Sequence, residues 1–283
     1  MNPEPAERNA TPQSVTRQTS FTPDTGLRLS AMLDVPFPST TSNRHVPVGW
    51  HFPLIGAETA RHDLRADGFP GLGLPFPAST LPRLVAGGRS VKFHSPLLID
   101  VHMRRSSTIS AIEHKETSGG PLSIITISHS IQAAGSAETA LVENQTYFLL
   151  SSRHFEREEG EAAPDIAPLL SKTVTPNDTL LFQFSALSFN SHKIHLDRAY
   201  AREIEGFPDL VVNGGLTTLL MTEMVRVDLG LTIKALTVTN KRPLYVNRLI
   251  TLSAFNAESG LKIVALDDRL RVAAEMEVTT HEL

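Results

Sequence analysis

The hydrophobic pattern of the first 150 residues predicts one short helix followed by antiparallel strands. Thr22, Pro23 and Asp24 are typical of a helix start, because threonine caps a helix and proline fits its first position. We expect this helix to direct four apolar side chains towards the core, namely Leu27, Leu29, Met32 and Leu33. Prolines favour an extended covering layer over residues 34–84. β-branched and alternating runs then predict strands at 106–112, 122–131 and 140–150.

The second half of the chain shows a different pattern, with a helix between its predicted strands. Residues 180–186 are interpreted as a strand, and a short polar helix is expected near 197–203. Leucine and methionine at helical spacing predict a buried helix over 216–227. Four strand-like runs follow, at 231–239, 244–255, 262–266 and 270–279. This is an α+β pattern, and a long helix wrapped by a curved antiparallel sheet is the hot-dog arrangement.

The chain of 283 residues has room for two such units. The first half offers a similar series of strands but no clear counterpart of the 216–227 helix, so we interpret it as a degenerate copy. The predicted organisation is a double hot-dog with four parts. These are a flexible N-terminus at 1–20, an N-terminal unit at 21–152, a charged and proline-spaced linker at 153–176, and a catalytic unit at 177–283.

Composition excludes several classes of function. The chain has no cysteine, which excludes disulfides, thiolate metal sites and a cysteine nucleophile. Its net charge of −4 does not fit a nucleic-acid binder. No apolar run is long enough for a membrane span, and the polar N-terminus does not resemble a secretory signal. We therefore expect a soluble, cytoplasmic protein with no nucleic-acid or membrane partner.

The most informative segment covers residues 184–201, FSALSFNSHKIHLDRAYA. It resembles the signature of the MaoC-like, R-specific enoyl-CoA hydratases, with matches at Ser188, Ile194, His195, Asp197 and Ala201. The Gly, Asp, Asn and Pro of that signature are replaced by Phe189, Asn190, His192 and Lys193. These departures are similar to the hydroxyacyl-thioester dehydratase type 2 branch, as is the stretch EGFPDLVVNG at 205–214.

The resemblance implies both an architecture and a reaction class. The architecture is the double hot-dog, and the reaction is hydration of an enoyl thioester or its reversal. Mesaconyl-CoA and itaconyl-CoA hydratases belong to the same branch, and the sequence resembles the itaconate-degradation members most. The implied function is therefore a hydratase (a hydro-lyase) that converts itaconyl-CoA or mesaconyl-CoA to citramalyl-CoA.

Candidate catalytic residues follow from the chemistry of water addition. Histidine suits proton transfer because its ordinary pKa lies near neutrality, so we expect His195 to be the principal acid–base group. Asn190 is expected to hold the water or donate to the substrate, since asparagine cannot act as a base. Gly214 and Gly215 precede the predicted helix, where free N–H groups can stabilise an enolate oxygen. His192 is assigned either to substrate contact or to bracing the loop.

Three cations and several alternatives complete the expectations. The resemblance loosely suggests Arg83, Arg89 and Lys115 for the CoA phosphates. The chemistry needs no metal and no cofactor, because CoA takes part only within the substrate. One alternative is a (3R)-hydroxyacyl-thioester dehydratase of fatty-acid type, and another is a non-catalytic module that binds acyl thioesters. A two-unit chain is compatible with a monomer or with a homodimer.

Overall fold

The computed structural model describes residues 14–37, 44–71, 73–74, 81–117, 119–151 and 161–280. Ten strands form one antiparallel sheet: β1 (Ser14–Ser20), β2 (Arg83–Phe93), β3 (His102–Thr117), β4 (Gly120–Ala133), β5 (Thr139–Leu150), β6 (Leu170–Val174), β7 (Ile233–Asn240), β8 (Ile250–Ala257), β9 (Gly260–Leu266) and β10 (Val272–Thr280). The α-helices of this part of the chain are α1 (Pro23–Leu33), α2 (Asp178–Leu187) and α3 (Gly214–Glu223).

The sheet consists of two halves with the same strand order from the outer edge to the seam between them. From its edge the first half runs β1-β3-β4-β5-β2, and from the opposite edge the second half runs β6-β8-β9-β10-β7. Antiparallel pairing of β2 with β7 joins them, with Gly88 opposite Thr239 and Lys92 opposite Ala235. In each half the outermost strand leads directly into a helix, β1 into α1 and β6 into α2. The predicted α+β double hot-dog is confirmed.

Among the described residues, only the second half has a central helix. Helix α3 continues as a wider π-helical turn, Met224–Asp228, and packs against β9 and β10. In the first half the equivalent place lies between α1 and β2, where residues 44–71 form only short 3₁₀ turns. Trp50 is fully buried in this layer and its indole Nε1–H donates to Glu223 Oε1 at 2.9 Å. This part of the predicted covering layer therefore packs on α3 of the other half, a placement that the sequence does not predict.

Helix α1 begins where the sequence predicts. The Thr22 hydroxyl accepts the N–H of Thr25 at 3.2 Å, and Pro23 occupies the first helical position. Its buried face consists of Gly26, Leu29 and Met32. The inward orientation predicted for Leu27 is wrong, since 56% of Leu27 is exposed.

The strand predicted at 180–186 is instead helix α2. Asn177 caps it by accepting the N–H of Leu180 at 2.9 Å, a start signal that competes with the apolar alternation. Leu181 and Phe184 point inwards at helical spacing, whereas 63% of Phe182 is exposed. The predicted strand at 244–255 begins only at Ile250, and the remaining predicted strands agree within a few residues. Helix α2 matters for function because it positions the loop that carries the signature.

Two segments expected outside the units belong to the sheet. Ser14–Ser20, assigned to the flexible N-terminus, pairs with β3, and Leu170–Val174, assigned to the linker, pairs with β8. Both are edge strands, which have one hydrogen-bonded neighbour and tolerate polar residues, so their sequences resemble loops. Residues 1–13 and the charged run at 152–160 lie outside the described residues. None of the helices described is long and apolar enough to cross a membrane.

Candidate active site

A cavity of about 670 Å³ lies at the seam between the two halves. Strands β2 and β5 of the first half form one wall, and the loop after α2 and the first turn of α3 form the other. The structure brings seven of the predicted site residues to this cavity, namely His195, Asn190, His192, Gly214, Gly215, Arg83 and Arg89. The eighth, Lys115, is not among its lining residues.

His195 is held in the tautomer that a base requires. It ends a 3₁₀ turn, Lys193–His195, and its Nδ1–H donates to the carbonyl oxygen of Val211 at 2.7 Å. Nε2 therefore keeps a free lone pair. The ring is 8% exposed, and burial, followed by the neighbouring His192, lowers its pKa to about 3. His195 is neutral at physiological pH and can accept a proton.

A short extended segment ties the histidine loop to helix α3. The N–H of Val211 donates to the carbonyl of Ile194 at 2.9 Å, and the carbonyl of Val211 accepts from His195. The next residue, Val212, donates its N–H to Leu244 at 2.8 Å. Because Val211 lies shortly before α3, these bonds place the His195 ring beside the first turn of that helix.

Asn190 uses its amide oxygen to shape the loop. Its Oδ1 accepts the backbone N–H of His192 at 3.0 Å, and its own N–H donates to Ser185 at 2.8 Å. Phe189, the preceding residue, adopts a left-handed conformation with φ of 49°. Within the described residues the amide NH₂ of Asn190 makes no hydrogen bond, and Asn190 lines the cavity.

His192 forms part of the wall next to His195. Its ring meets His195 edge-on at a centroid distance of 5.4 Å and lies 5.7 Å from the Phe69 ring. Its Nε2 lies 3.9 Å from Asp67 Oδ2, beyond hydrogen-bond length. Burial lowers the pKa of His192 to about 3, so this neighbour is also uncharged. This packing agrees with the bracing role among the two expected for it.

The first turn of α3 lies at the cavity, which Gly214, Gly215 and Thr217 line. Asn213 precedes the helix without a side-chain cap, which leaves the first N–H groups without that partner. A Cβ on Gly215 would lie 3.1 Å from Phe184 Cζ and 3.3 Å from Arg89 Nη2. Gly214 and Gly215 therefore keep open a narrow space at the positive end of the helix dipole, which is suited to a developing oxyanion.

Two of the predicted CoA-binding cations differ sharply in their surroundings. Arg83 is buried, with Nε 3.5 Å from Glu205 Oε2 and its guanidinium over the ring of Phe207. Burial lowers the pKa of Arg83. Lys115 is largely exposed and pairs with Glu113 at 3.0 Å. Only the first of these two cations faces the cavity.

Arg89 belongs to a buried polar network. Its Nη1–H donates to Glu143 Oε1 at 3.0 Å, and its guanidinium lies 4.5 Å from the centre of the Phe52 ring. His51 Nε2 contacts the other oxygen of Glu143 at 3.0 Å, and the amide of Gln145 donates to the first at 2.6 Å. The sequence assigned His51 to packing, and its buried ring against Phe52 agrees with that.

Glu143, which anchors Arg89 from behind the cavity wall, is a residue that the sequence analysis does not identify. Burial raises its pKa, but the charge of Arg89 and the hydrogen bond of His51 outweigh burial and lower it to about 2. The signal was present in strand β5, where alternate residues from Leu141 onwards are buried. Glu143 and Gln145 occupy inward positions in that alternation, and a charge at an inward position requires a partner.

Most of the chain matches one known protein family. Residues 49–246 match the family model described as hydroxyacyl-thioester dehydratase type 2, and the chain belongs to that family. It is an enzyme of the hydratase and dehydratase class, as the signature around His195 implies.

Individual relatives show the same class and fold. The chain is 32% identical over 224 residues to mesaconyl-C(4)-CoA hydratase of Chloroflexus aurantiacus, covering 76% of this chain and 77% of that protein. A MaoC-like dehydratase of Phytophthora capsici superposes with a TM-score of 0.73 at 11% identity, covering 96% of both chains. A Mycobacterium tuberculosis protein with a double hotdog fold gives 0.60 at 10% identity, covering 97% of both.

Proposed function

We propose that this enzyme hydrates a C5-dicarboxylyl enoyl-CoA, mesaconyl-CoA or itaconyl-CoA, to citramalyl-CoA. The observation that carries the proposal is the pairing of a neutral His195, with Nε2 free, and an uncapped helix N-terminus in one cavity. The similarity to a mesaconyl-C(4)-CoA hydratase supports the substrate class.

The proposed reaction uses one base. His195 Nε2 takes a proton from water as the water oxygen bonds to the β-carbon. The electrons of the double bond move to the thioester, and the N–H groups of Gly214 and Gly215 stabilise the resulting enolate oxygen. The protonated imidazole then returns that proton to the α-carbon on the same face. Addition is syn, and the neutral histidine is restored.

Two further features fit this scheme. The free amide NH₂ of Asn190 is a donor that can orient the water or the thioester carbonyl. All steps use groups of this chain and water, so the scheme contains no metal and no redox cofactor, and CoA acts only as the carrier of the acyl group.

Between the two substrates, the oxyanion site favours mesaconyl-C(4)-CoA. Its double bond is conjugated with the thioester, so addition of water generates an enolate. In the corresponding itaconyl thioester a methylene group separates the double bond from the carbonyl, and no enolate forms on addition. A helix N-terminus beside the base contributes most to the conjugated substrate.

A fatty-acid type (3R)-hydroxyacyl-thioester dehydratase is the second candidate. The family description names that activity, and aromatic and aliphatic side chains such as Phe52, Leu84 and Phe148 line the cavity. A long acyl chain would be accommodated against such residues, whereas a dicarboxylyl group requires a cation.

A panel of thioesters distinguishes these candidates. The purified enzyme is mixed with mesaconyl-, itaconyl-, crotonyl- and octenoyl-CoA, and the product is measured by chromatography and mass. We expect the highest kcat/KM with mesaconyl-CoA and citramalyl-CoA as product. Turnover of octenoyl-CoA without turnover of either dicarboxylyl thioester would overturn the proposal in favour of the dehydratase.

A further inference from the structure

The proposed substrate poses a recognition problem that the catalytic residues do not solve. Mesaconyl-C(4)-CoA and 3-methylcrotonyl-CoA differ in one substituent of the β-carbon, which is a carboxylate in the first and a methyl group in the second. Selecting the first requires a cation beside the β-carbon. Four cationic residues line the cavity in the described part of the chain, namely Arg83, Arg89, Lys241 and Arg242.

Arg89 is the cation placed at the reacting end of the cavity. Its Nη2 lies 3.3 Å from the point that a Cβ on Gly215 would occupy, directly beside the first turn of α3. Lys241, by contrast, is engaged by two carboxylates, Glu161 at 2.5 Å and Glu275 at 2.6 Å. Arg83 is turned towards Glu205.

Part of the Arg89 guanidinium remains available to a ligand. The hydrogen bond that Arg89 makes within the described residues uses Nη1 and goes to Glu143. Phe52 packs against its face and fixes the plane of the group. The side chain is 14% exposed, so the unused Nη2 faces a site with little competing water.

The charged groups around Arg89 keep a net positive charge, which can be neutralised by one further anion. Glu143 is ionised and interacts with two guanidinium groups, that of Arg89 and that of Arg105. Arg105 itself is anchored by donating to the carbonyls of Leu54 and Gly56 at 2.8 and 3.0 Å. Arg105 also interacts with the charges of Glu58 and Arg17. Three guanidinium groups therefore meet two carboxylates, so Glu143 fixes Arg89 without neutralising the cluster.

Asn213 provides an independent observation at the same place. It is 2% exposed, directly precedes the two glycines and lies among the residues that line the cavity. Neither its Nδ2 nor its Oδ1 has a hydrogen-bond partner in the part of the chain that is described. Buried amides are usually paired, so this one indicates a missing polar ligand near the first turn of α3.

We propose that Arg89 binds the free carboxylate of the substrate through Nη2, with the Asn213 amide as a second donor, and thereby selects dicarboxylyl over simple enoyl thioesters. This inference rests on the proposed function. It assigns Arg89 to the acyl group, whereas the family resemblance suggested the CoA phosphates. The carboxylate lies next to the carbon that receives hydroxide, and Gly215 has no side chain to separate it from Arg89.

Matched thioester pairs test this assignment. Calorimetry gives the dissociation constants of citramalyl-CoA and of 3-hydroxy-3-methylbutyryl-CoA, which carries a methyl in place of the carboxylate. Initial rates give kcat/KM for mesaconyl-C(4)-CoA and 3-methylcrotonyl-CoA. The proteins are the wild type, Arg89→Gln, Arg89→Lys, and the double variant R89Q/E143Q, which avoids an unpaired buried carboxylate if the single variant folds poorly. Arg104→Gln, on an exposed arginine of β3, is the control.

We expect the wild type to bind citramalyl-CoA more tightly than 3-hydroxy-3-methylbutyryl-CoA. In Arg89→Gln and in the double variant, binding and kcat/KM fall about 100-fold for the dicarboxylyl member only, with the lysine variant intermediate. Equal losses for both members, or no preference in the wild type, would overturn the assignment. If the wild type does not hydrate mesaconyl-CoA at all, the proposed function itself fails, which the rates reveal before any variant is compared.

Discussion

The two halves of the sheet share one strand order but differ in the polarity of their inner faces. In the second half, strands β7 to β10 pack around α3 with apolar side chains such as Leu236, Ile263 and Met276. In the first half, apolar side chains such as Ile125 and Ile127 share the inner face with buried polar residues, among them Arg105, Ser107, His129, Glu143 and Gln145. The first half, which has no central helix among its described residues, contributes a charged wall to the cavity. The second half contributes the loop after α2 and the first turn of α3.

Two buried histidines make the difference concrete. His129 in the first half and His195 in the second are both almost inaccessible, and burial lowers both pKa values, to about 4 and about 3. His129 contacts the Ser107 hydroxyl at 2.8 Å and does not line the cavity. Nε2 of His129 has no hydrogen-bond partner among the described residues either. His195, with Nε2 free, lines the cavity. Burial and a free nitrogen therefore do not distinguish the two histidines, whereas contact with the cavity does.

The largest expected effect on kcat/KM comes from replacing one of these two histidines, and the other replacement is its control. His195→Ala should lower kcat/KM for mesaconyl-CoA by about 10³-fold, because it removes the base and the proton carrier. His129→Gln should lower the melting temperature and leave kcat/KM within a few-fold. Both variants are compared by initial rates and by thermal unfolding. Full activity of the His195→Ala enzyme would contradict the proposal that the second half supplies the base.

A smaller effect is expected at the first turn of α3. In Gly215→Ala the new methyl group meets Phe184 at 3.1 Å and the guanidinium of Arg89 at 3.3 Å. It also obstructs the approach of the thioester oxygen to the N–H groups, so kcat should fall about 10²-fold. Steady-state kinetics and circular dichroism check this together. Unchanged kcat in a correctly folded variant would place the oxyanion elsewhere.

Asn190→Asp isolates the donor role of that side chain. Aspartate keeps an oxygen for the N–H of His192 but loses the NH₂ group, so the loop should persist while kcat falls by about 10-fold. Asn190→Ala removes both and should lose more. Kinetics of the two variants measure the difference. A rise in activity with aspartate would instead indicate that a second base improves the reaction.

The smallest effect near neutrality concerns pH. With the pKa of His195 lowered to about 3, the base form persists on acidification, and kcat/KM should stay level between about pH 5 and pH 8.

The free energy of unfolding, unlike kcat/KM, should depend on pH in the same range. His129, His192 and His195 have folded pKa values below their ordinary value, so the unfolded chain binds more protons as pH falls from about 6.5 towards 4.

In that window each of these histidines lowers the free energy of unfolding by about 1.4 kcal/mol per pH unit of acidification. His129→Gln removes one of the three contributions, so the free energy of unfolding should fall less steeply with pH. Denaturant unfolding at several pH values measures the slope. An acid limb of kcat/KM near pH 6.5 would show that His195 titrates as an exposed histidine does.

Local patterns explain why the cavity residues of the second half are predicted from the sequence and those of the first half mostly are not. The signature around His195 and the glycines before α3 are contiguous in sequence, so their spacing was visible. The contact between Arg89 and Gly215 depends on the pairing of β2 with β7, which no local pattern encodes. Helix α2 was mistaken for a strand because its apolar residues also alternate, and its cap at Asn177 was overlooked.

In the proposed mechanism, one histidine of the second half moves the proton from water to the α-carbon. The most direct measurement is the hydration of mesaconyl-CoA in D₂O, followed by NMR of the citramalyl-CoA formed. One base on one face predicts a single deuterium at the α-carbon, introduced syn to the new hydroxyl. Anti addition, or deuterium distributed over both positions at the first turnover, would contradict the account.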